Sequence, residues 1–153
     1  MQFLRIDSIQ QWTDGDYSVT TDKALVDRDV VHHYLSQESY WAQGRTREQT
    51  EQLIDASRCY MLRHDPSAAQ VGFARVLTDG FSMGWIGDVF VLEGHRGGRG
   101  KFLMRCISED LALVRRVMLG THDAHGLYAQ FGFGPLSRPE VWMERFLDRD
   151  PSD

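Results

Sequence analysis

Residues 84–103 read GWIGDVFVLEGHRGGRGKFL, and this stretch decides the architecture. Its first part, Trp85 to Leu92, is an apolar, β-branched and aromatic run of strand length. Gly94, Gly97, Gly98 and Gly100 then crowd together, interleaved with His95, Arg96, Arg99 and Lys101. From Gly98 to Val114 the period changes, and Leu103, Cys106, Ile107, Leu111 and Val114 share one face at helical spacing. A strand therefore opens into a helix across a glycine loop. Glycines let backbone N–H groups approach an anion closely, and the following helix aims its unpaired amides and positive dipole end at the same place. Phosphate oxygens fit that environment, and nearby guanidinium forks would add charge-assisted hydrogen bonds.

Charge supports this reading. The chain of 153 residues has a formal charge of -5, yet Glu93 to Arg116 carries +3 and the remainder -8. A basic island in an acidic chain suits a small anionic ligand, although a solvated helix face with scattered arginines would look the same on charge alone. The acidic total argues against a general nucleic-acid binder. No run approaches the roughly 20 apolar residues of a membrane span, and MQFLRIDSIQQWTDGD has polar residues where a signal peptide has its apolar centre. A cytoplasmic protein without a membrane partner is expected. Cys59 and Cys106 are the only cysteines, with no C-x-x-C pairing, and read as reduced, partly buried thiols.

Outward from the loop, CYMLRH from Cys59, QVGFARVL after an Asp65-Pro66-Ser67 turn, and WIGDVFVL after Asp79-Gly80 predict an antiparallel meander. Asp27 to Gln37 carries Val30, Val31, Tyr34 and Leu35 at helical spacing, and Thr46 with Gln49 forms a capping-box signature for a second helix toward Ala56. RVMLGT predicts a further strand, Ala124 to Phe131 a short helix ending at Gly132, and VWMERF a last strand. No repeat or linker interrupts the chain, so residues 1–147 read as one α+β domain, with a flexible tail over 148–153.

Two familiar phosphate loops fail by counting. A Walker loop ending at Gly100-Lys101 needs glycine where His95 stands and a hydroxyl where Phe102 stands. A dinucleotide fingerprint needs a parallel βαβ unit, which the antiparallel strands do not supply. What the stretch does resemble is the acetyl-coenzyme A loop of the GCN5-related N-acetyltransferase family, R-G-x-G-x-G/A after a V-x-V strand. The match is Val89-Phe90-Val91, then Arg96, Gly97, Gly98, Gly100 and Leu103. THDAHGLYAQFGF, Thr121 to Phe133, is similar to the family's later segment, with Tyr128 before a G-F pair and Thr121 where asparagine is common. RGGRGK is one residue shorter than the family pattern: either His95 takes the first position with Gly98 and Gly100 as the last glycines, or the loop closes differently.

The resemblance implies a central, mostly antiparallel twisted sheet of about six or seven strands flanked by about four helices, and acetyl transfer from acetyl-CoA to a primary amine in a ternary complex. In such a family the pantetheine arm pairs with the backbone of Val89, Phe90 and Val91, while Arg96, Gly97, Gly98, Arg99, Gly100, Lys101 and Thr121 surround the rest of the coenzyme. Gly84 and Gly87 are in keeping with a bulge that opens a slot toward RVMLGT.

Acetyl transfer needs a neutral amine and a proton for the departing thiolate. Tyr128, protonated at neutral pH with an ordinary pKa of about 10, is the general-acid candidate, or else part of an apolar face with Ala124, Leu127 and Phe131. Asp88 projects from the strand face opposite Val89 and Val91 and is the general-base candidate, with Asp79 and His122 as rivals and a structural hydrogen-bond role as the alternative. Tyr40 and Trp41, between the early helices, read either as an acceptor wall or as packing. His122 with His125, and His32 with His33, lack the further ligands of a zinc site, so no metal is expected. A small-molecule amine is the expected substrate. A homodimer is frequent in the family, but no heptad or exposed apolar run marks an interface. A non-catalytic acyl-CoA sensor on the same fold, or a phosphate-binding domain unrelated to acyl transfer, are the competing readings.

Overall fold

The computed structural model describes residues 2–147. The tail expected over 148–153 lies outside them. Six strands form one sheet in the order β1-β2-β3-β4-β5-β6. They are β1 (Gln11–Asp14), β2 (Tyr17–Thr20), β3 (Arg58–His64), β4 (Ala69–Thr78), β5 (Gly84–Val91) and β6 (Val117–Leu119). Neighbours run antiparallel except β5 and β6, which are parallel and joined through a helix. Four α-helices flank the sheet: α1 (Arg28–His33), α2 (Arg47–Asp55), α3 (Arg99–Asp110) and α4 (His125–Ala129).

Helix α2 starts where the capping box predicts, with Thr46 accepting from the Gln49 amide and Gln49 accepting from the Thr46 amide. Helix α1 is capped by Asp27 and continues as a π-helical turn over Tyr34–Glu38. Both lie against one face of the sheet, where Val31, Leu35, Ile54, Met61, Phe73 and Phe90 form a core. Helix α3 buries Phe102, Leu103, Met104, Cys106 and Ile107 on the other face against Leu62, Val71, Val76 and Ile86. Each such side chain contributes about 1.5–3 kcal/mol on burial, so the two cores fix the sheet between its helix layers.

A buried ion pair locks α3 to β3. Arg58 Nε donates to Asp110 Oδ2 at 2.6 Å, its Nη1 donates to the carbonyls of Ile6 and Ser8, and Tyr60 donates to the same carboxylate.

Two sequence expectations differ from the fold. The hairpin β1–β2 was not anticipated; its two-residue turn holds Gly15 at φ +58, the left-handed region that favours glycine. VWMERF is not a strand. Pro139–Val141 forms a short 3-10 turn, residues 142–147 have no ladder partner, and Met143 is 96% exposed. Trp142 instead lies under the Arg116 guanidinium, 4.8 Å from its ring centroid. Apolar composition alone cannot make a strand where no neighbouring strand accepts its hydrogen bonds.

Candidate active site

The loop after β5 is built to leave amides free. Leu92 donates back to Val71, a 3-10 turn spans Glu93–His95, and Gly97 and Gly98 take φ +96 and +87 in succession. Gly98 is the N-cap of α3 and supplies no side chain to its first amides, and a methyl group on either glycine would meet nothing within 4 Å. The start of a 12-residue helix thus faces open space through two residues without side chains.

The side chains of the loop mostly brace it from behind. Arg96 Nε donates to the Val91 carbonyl at 3.1 Å. His95 Nδ1 lies 3.0 Å from the Tyr17 hydroxyl, and Arg99 stacks 4.3 Å over the Tyr17 ring while reaching the Asp14 carbonyl. Lys101 is exposed. The hairpin that sequence reading missed is therefore the scaffold of this loop, and Tyr17 belongs to the site.

Beside the loop the sheet opens. Strands β5 and β6 pair only from Gly84↔Val117 to Ile86↔Leu119, and among the described residues nothing pairs with Gly87–Val91 on that side. On the other side, the register with β4 shifts so that Asp88 and Val89 together face Ala74. This bulge puts Asp88 at φ +53 and turns its side chain toward the α1–α2 face, while Val89 packs toward α3. A slot with a free strand edge leads to the helix terminus. A cleft of about 650 Å³ beside β6 is lined by Thr121 and Tyr128 together with residues of β6 and α4, and by none of residues 88–101.

Asp88 is a fixed group rather than a free base. Its Oδ2 accepts from Arg75 Nε at 2.7 Å and Arg45 Nη1 at 2.8 Å, and its Oδ1 accepts from Trp41 Nε1 at 2.9 Å. Burial alone would raise its pKa, but the charges and hydrogen bonds of Arg75 and Arg45 outweigh this and hold it below the usual carboxylate range. A carboxylate tied to two guanidiniums is a poor proton acceptor, so this geometry favours the structural hydrogen-bond reading of Asp88 over the general-base one. The rival Asp79 braces the β4–β5 turn, accepting from the Ser82 hydroxyl and the Phe81 and Ser82 amides, which lower its pKa.

Tyr128, on α4, is buried, its ring edge-on to Phe133 at 6.1 Å. Its phenol has no hydrogen-bond partner among the described residues. Burial, then the proximity of Tyr40 and Asp123, raise its pKa, so it stays protonated. Thr121 Oγ1 accepts from the Ala124 amide at 3.1 Å and so fixes the entry to α4. Trp41 and Tyr40 are exposed and edge-to-face at 5.0 Å, and His122 lies 5.4 Å from Tyr40. Behind them Tyr34 stacks on Phe90 at 4.0 Å. Arg45, Arg75, Tyr34 and Tyr17 carry this site without having been read from sequence. Two signals were there: Arg75 and Asp88 are lone charges inside apolar strands, and buried charges come in pairs. The cysteines lie apart in the cores, where burial raises Cys59 to about 11 and Cys106 to about 12, so neither is a nucleophile at neutral pH. No helix among the described residues is long and apolar enough to cross a membrane.

A strand that splays from its parallel neighbour beside a glycine-capped helix is the arrangement of an acyl-coenzyme A transferase fold. Residues 55–135 match the acetyltransferase (GNAT) domain, and the chain belongs to that family of acetyltransferases. A Gibberella zeae protein provisionally named an acetyltransferase is 33% identical over 150 residues, covering 83% of this chain and 84% of its own. A crystal structure from Xanthomonas campestris pv. campestris, provisionally assigned to the GNAT acetyltransferases, is 41% identical with TM-score 0.80, covering 89% of this chain and 94% of that one. A Staphylococcus aureus structure of 22% identity and TM-score 0.68, covering 87% of this chain and 99% of that one, shares the fold.

Proposed function

We propose that the protein moves the acetyl group of acetyl-CoA onto the primary amine of a small molecule by direct attack in a ternary complex. The observation that carries this reading is the unpaired edge of β5 from Gly87 to Val91, followed after one 3-10 turn by the open amides at Gly97 and Gly98. That edge suits an extended amide-bearing arm, and the amides suit a diphosphate. The bound coenzyme supplies an acetyl group activated as a thioester. Tyr128 gives a proton to the departing sulfur, a role supported by a phenol that stays protonated and has no protein partner for its hydroxyl among the described residues. Trp41 and Tyr40 wall the acceptor side, and Asp88 acts as a positioning residue that holds this wall to β5 through Trp41 and Arg45. The amine loses its proton to solvent at the open mouth of the site, where His122 is exposed.

The test is release of free thiol from acetyl-CoA across a panel of primary amines, with mass spectrometry of the acetylated products. Amine-dependent release supports the reading. Coenzyme binding with no release over a broad panel would instead make the protein an acyl-CoA sensor.

A further inference from the structure

The cluster of Arg45, Asp88 and Arg75 has more positive charge than its single carboxylate balances. Asp88 is one charge between two guanidiniums, and its side chain is only 3% exposed. Arg75 spends Nε on Asp88 and points Nη1 at the Ser57 hydroxyl, 3.5 Å away. Its Nη2 turns elsewhere. A methyl group on Gly87 would lie 3.4 Å from that Nη2, 3.5 Å from the Arg75 Cζ and 3.6 Å from Trp85 Nε1. The missing side chain of Gly87 therefore leaves a hollow rimmed by two nitrogen donors, neither of which has an acceptor among the described residues. Gly87 is also the first β5 residue past the end of β6, so the hollow lies at the mouth of the slot. The Arg45 guanidinium is bound through Nη1 to the same Asp88 oxygen as Arg75.

Donors without acceptors and a surplus positive charge select an anion, and they repel a plain ammonium group. We propose, on the reading of acetyl transfer above, that the acceptor is an amine that also carries an oxyanion, a carboxylate or a phosphate, and that this oxyanion seats over Gly87 between Arg75 and Trp85. The oxyanion neutralises the surplus charge and orients the molecule with its amine toward the slot. Amino acids and amino phosphates belong to this class; simple alkylamines and polyamines do not.

The experiment reads binding, so it does not depend on turnover. N-acetylphenylalanine is titrated against N-acetylphenethylamine, and O-phosphoethanolamine against ethanolamine, into the wild type, Gly87→Ala and Arg75→Gln, with heat as the readout. In at least one pair the oxyanion member binds about tenfold tighter to the wild type. The pair that shows it tells carboxylate from phosphate. Gly87→Ala, which fills the hollow without removing a charge, reduces the advantage to about threefold or less, and so does Arg75→Gln. Equal or absent binding of both members in both pairs, or an advantage that survives Gly87→Ala, would overturn the proposal. Acetyl-CoA titrated into the same samples reports separately on the transferase reading, which fails if the coenzyme does not bind while the oxyanion preference stands.

Discussion

Arg45 Nη1 lies 2.8 Å from Asp88 Oδ2, across 43 residues of sequence, and joins the segment between α1 and α2 to the bulge of β5. The segment that carries Tyr40 and Trp41 is thus tied to the strand whose edge is left unpaired beyond Ile86.

Removing the charge at that junction leaves two guanidiniums partly buried and unpaired. Asp88→Asn is expected to lower unfolding stability by about 3 kcal/mol, measured by urea denaturation at pH 7. Because the folded pKa of Asp88 is depressed below its ordinary 3.8, its contribution is complete above that value and is lost as pH falls below it. The stability deficit of the variant therefore narrows below about pH 4. A deficit equal at pH 3 and pH 7 would remove the ion pairs from the account.

Tyr128→Phe deletes the proposed proton donor and keeps the ring against Phe133. Turnover with a reactive amine should fall about 100-fold, with KM for acetyl-CoA within about threefold of wild type. Since burial raises the phenol pKa from 10, the wild-type rate should not decline on the alkaline side until above about pH 10. Unchanged turnover in the variant would take Tyr128 out of the chemistry.

Tyr17→Phe removes one hydrogen bond, that to His95 Nδ1, from behind the glycine loop. The expected result is a rise of about fivefold in KM for acetyl-CoA, the equivalent of about 1 kcal/mol, with turnover little altered. Steady-state kinetics at saturating amine separates the two constants.

Asp110→Asn strikes the buried pair with Arg58, far from the slot, where the two side chains are 2% and 3% exposed. Stability should drop by about 3–5 kcal/mol while KM for acetyl-CoA, measured below the unfolding transition, stays as in the wild type. Differential scanning calorimetry and initial rates on one preparation check both halves.

Much of the scaffold was legible because it is locally encoded. The meander from Arg58 to Val91, the capping box at Thr46 and the apolar face of α3 each follow from periodicity within a few residues. The β1–β2 hairpin was not, since QWTD and YSVT are short and largely polar and β1 lies at the sheet edge, although Asp14-Gly15 was a turn signal. VWMERF shows the reverse failure, where strand-like composition finds no partner in the fold. In the site, the glycine loop was readable because backbone conformation demands glycine at Gly97 and Gly98. The partners of Asp88 were not, because Arg45, Arg75 and Trp41 meet it only through the bulge and the loop above it, a relation that no spacing in the chain expresses.

The central claim is that the free edge of β5 and the amides at Gly97 and Gly98 hold acetyl-CoA. Isothermal titration of the wild type and of Gly98→Ala with acetyl-CoA tests it directly. A residue other than glycine at φ +87 is strained by about 1–2 kcal/mol. One coenzyme should bind per wild-type chain, with affinity about tenfold weaker in the variant. No binding at millimolar coenzyme, or equal affinity in the two proteins, would contradict the account.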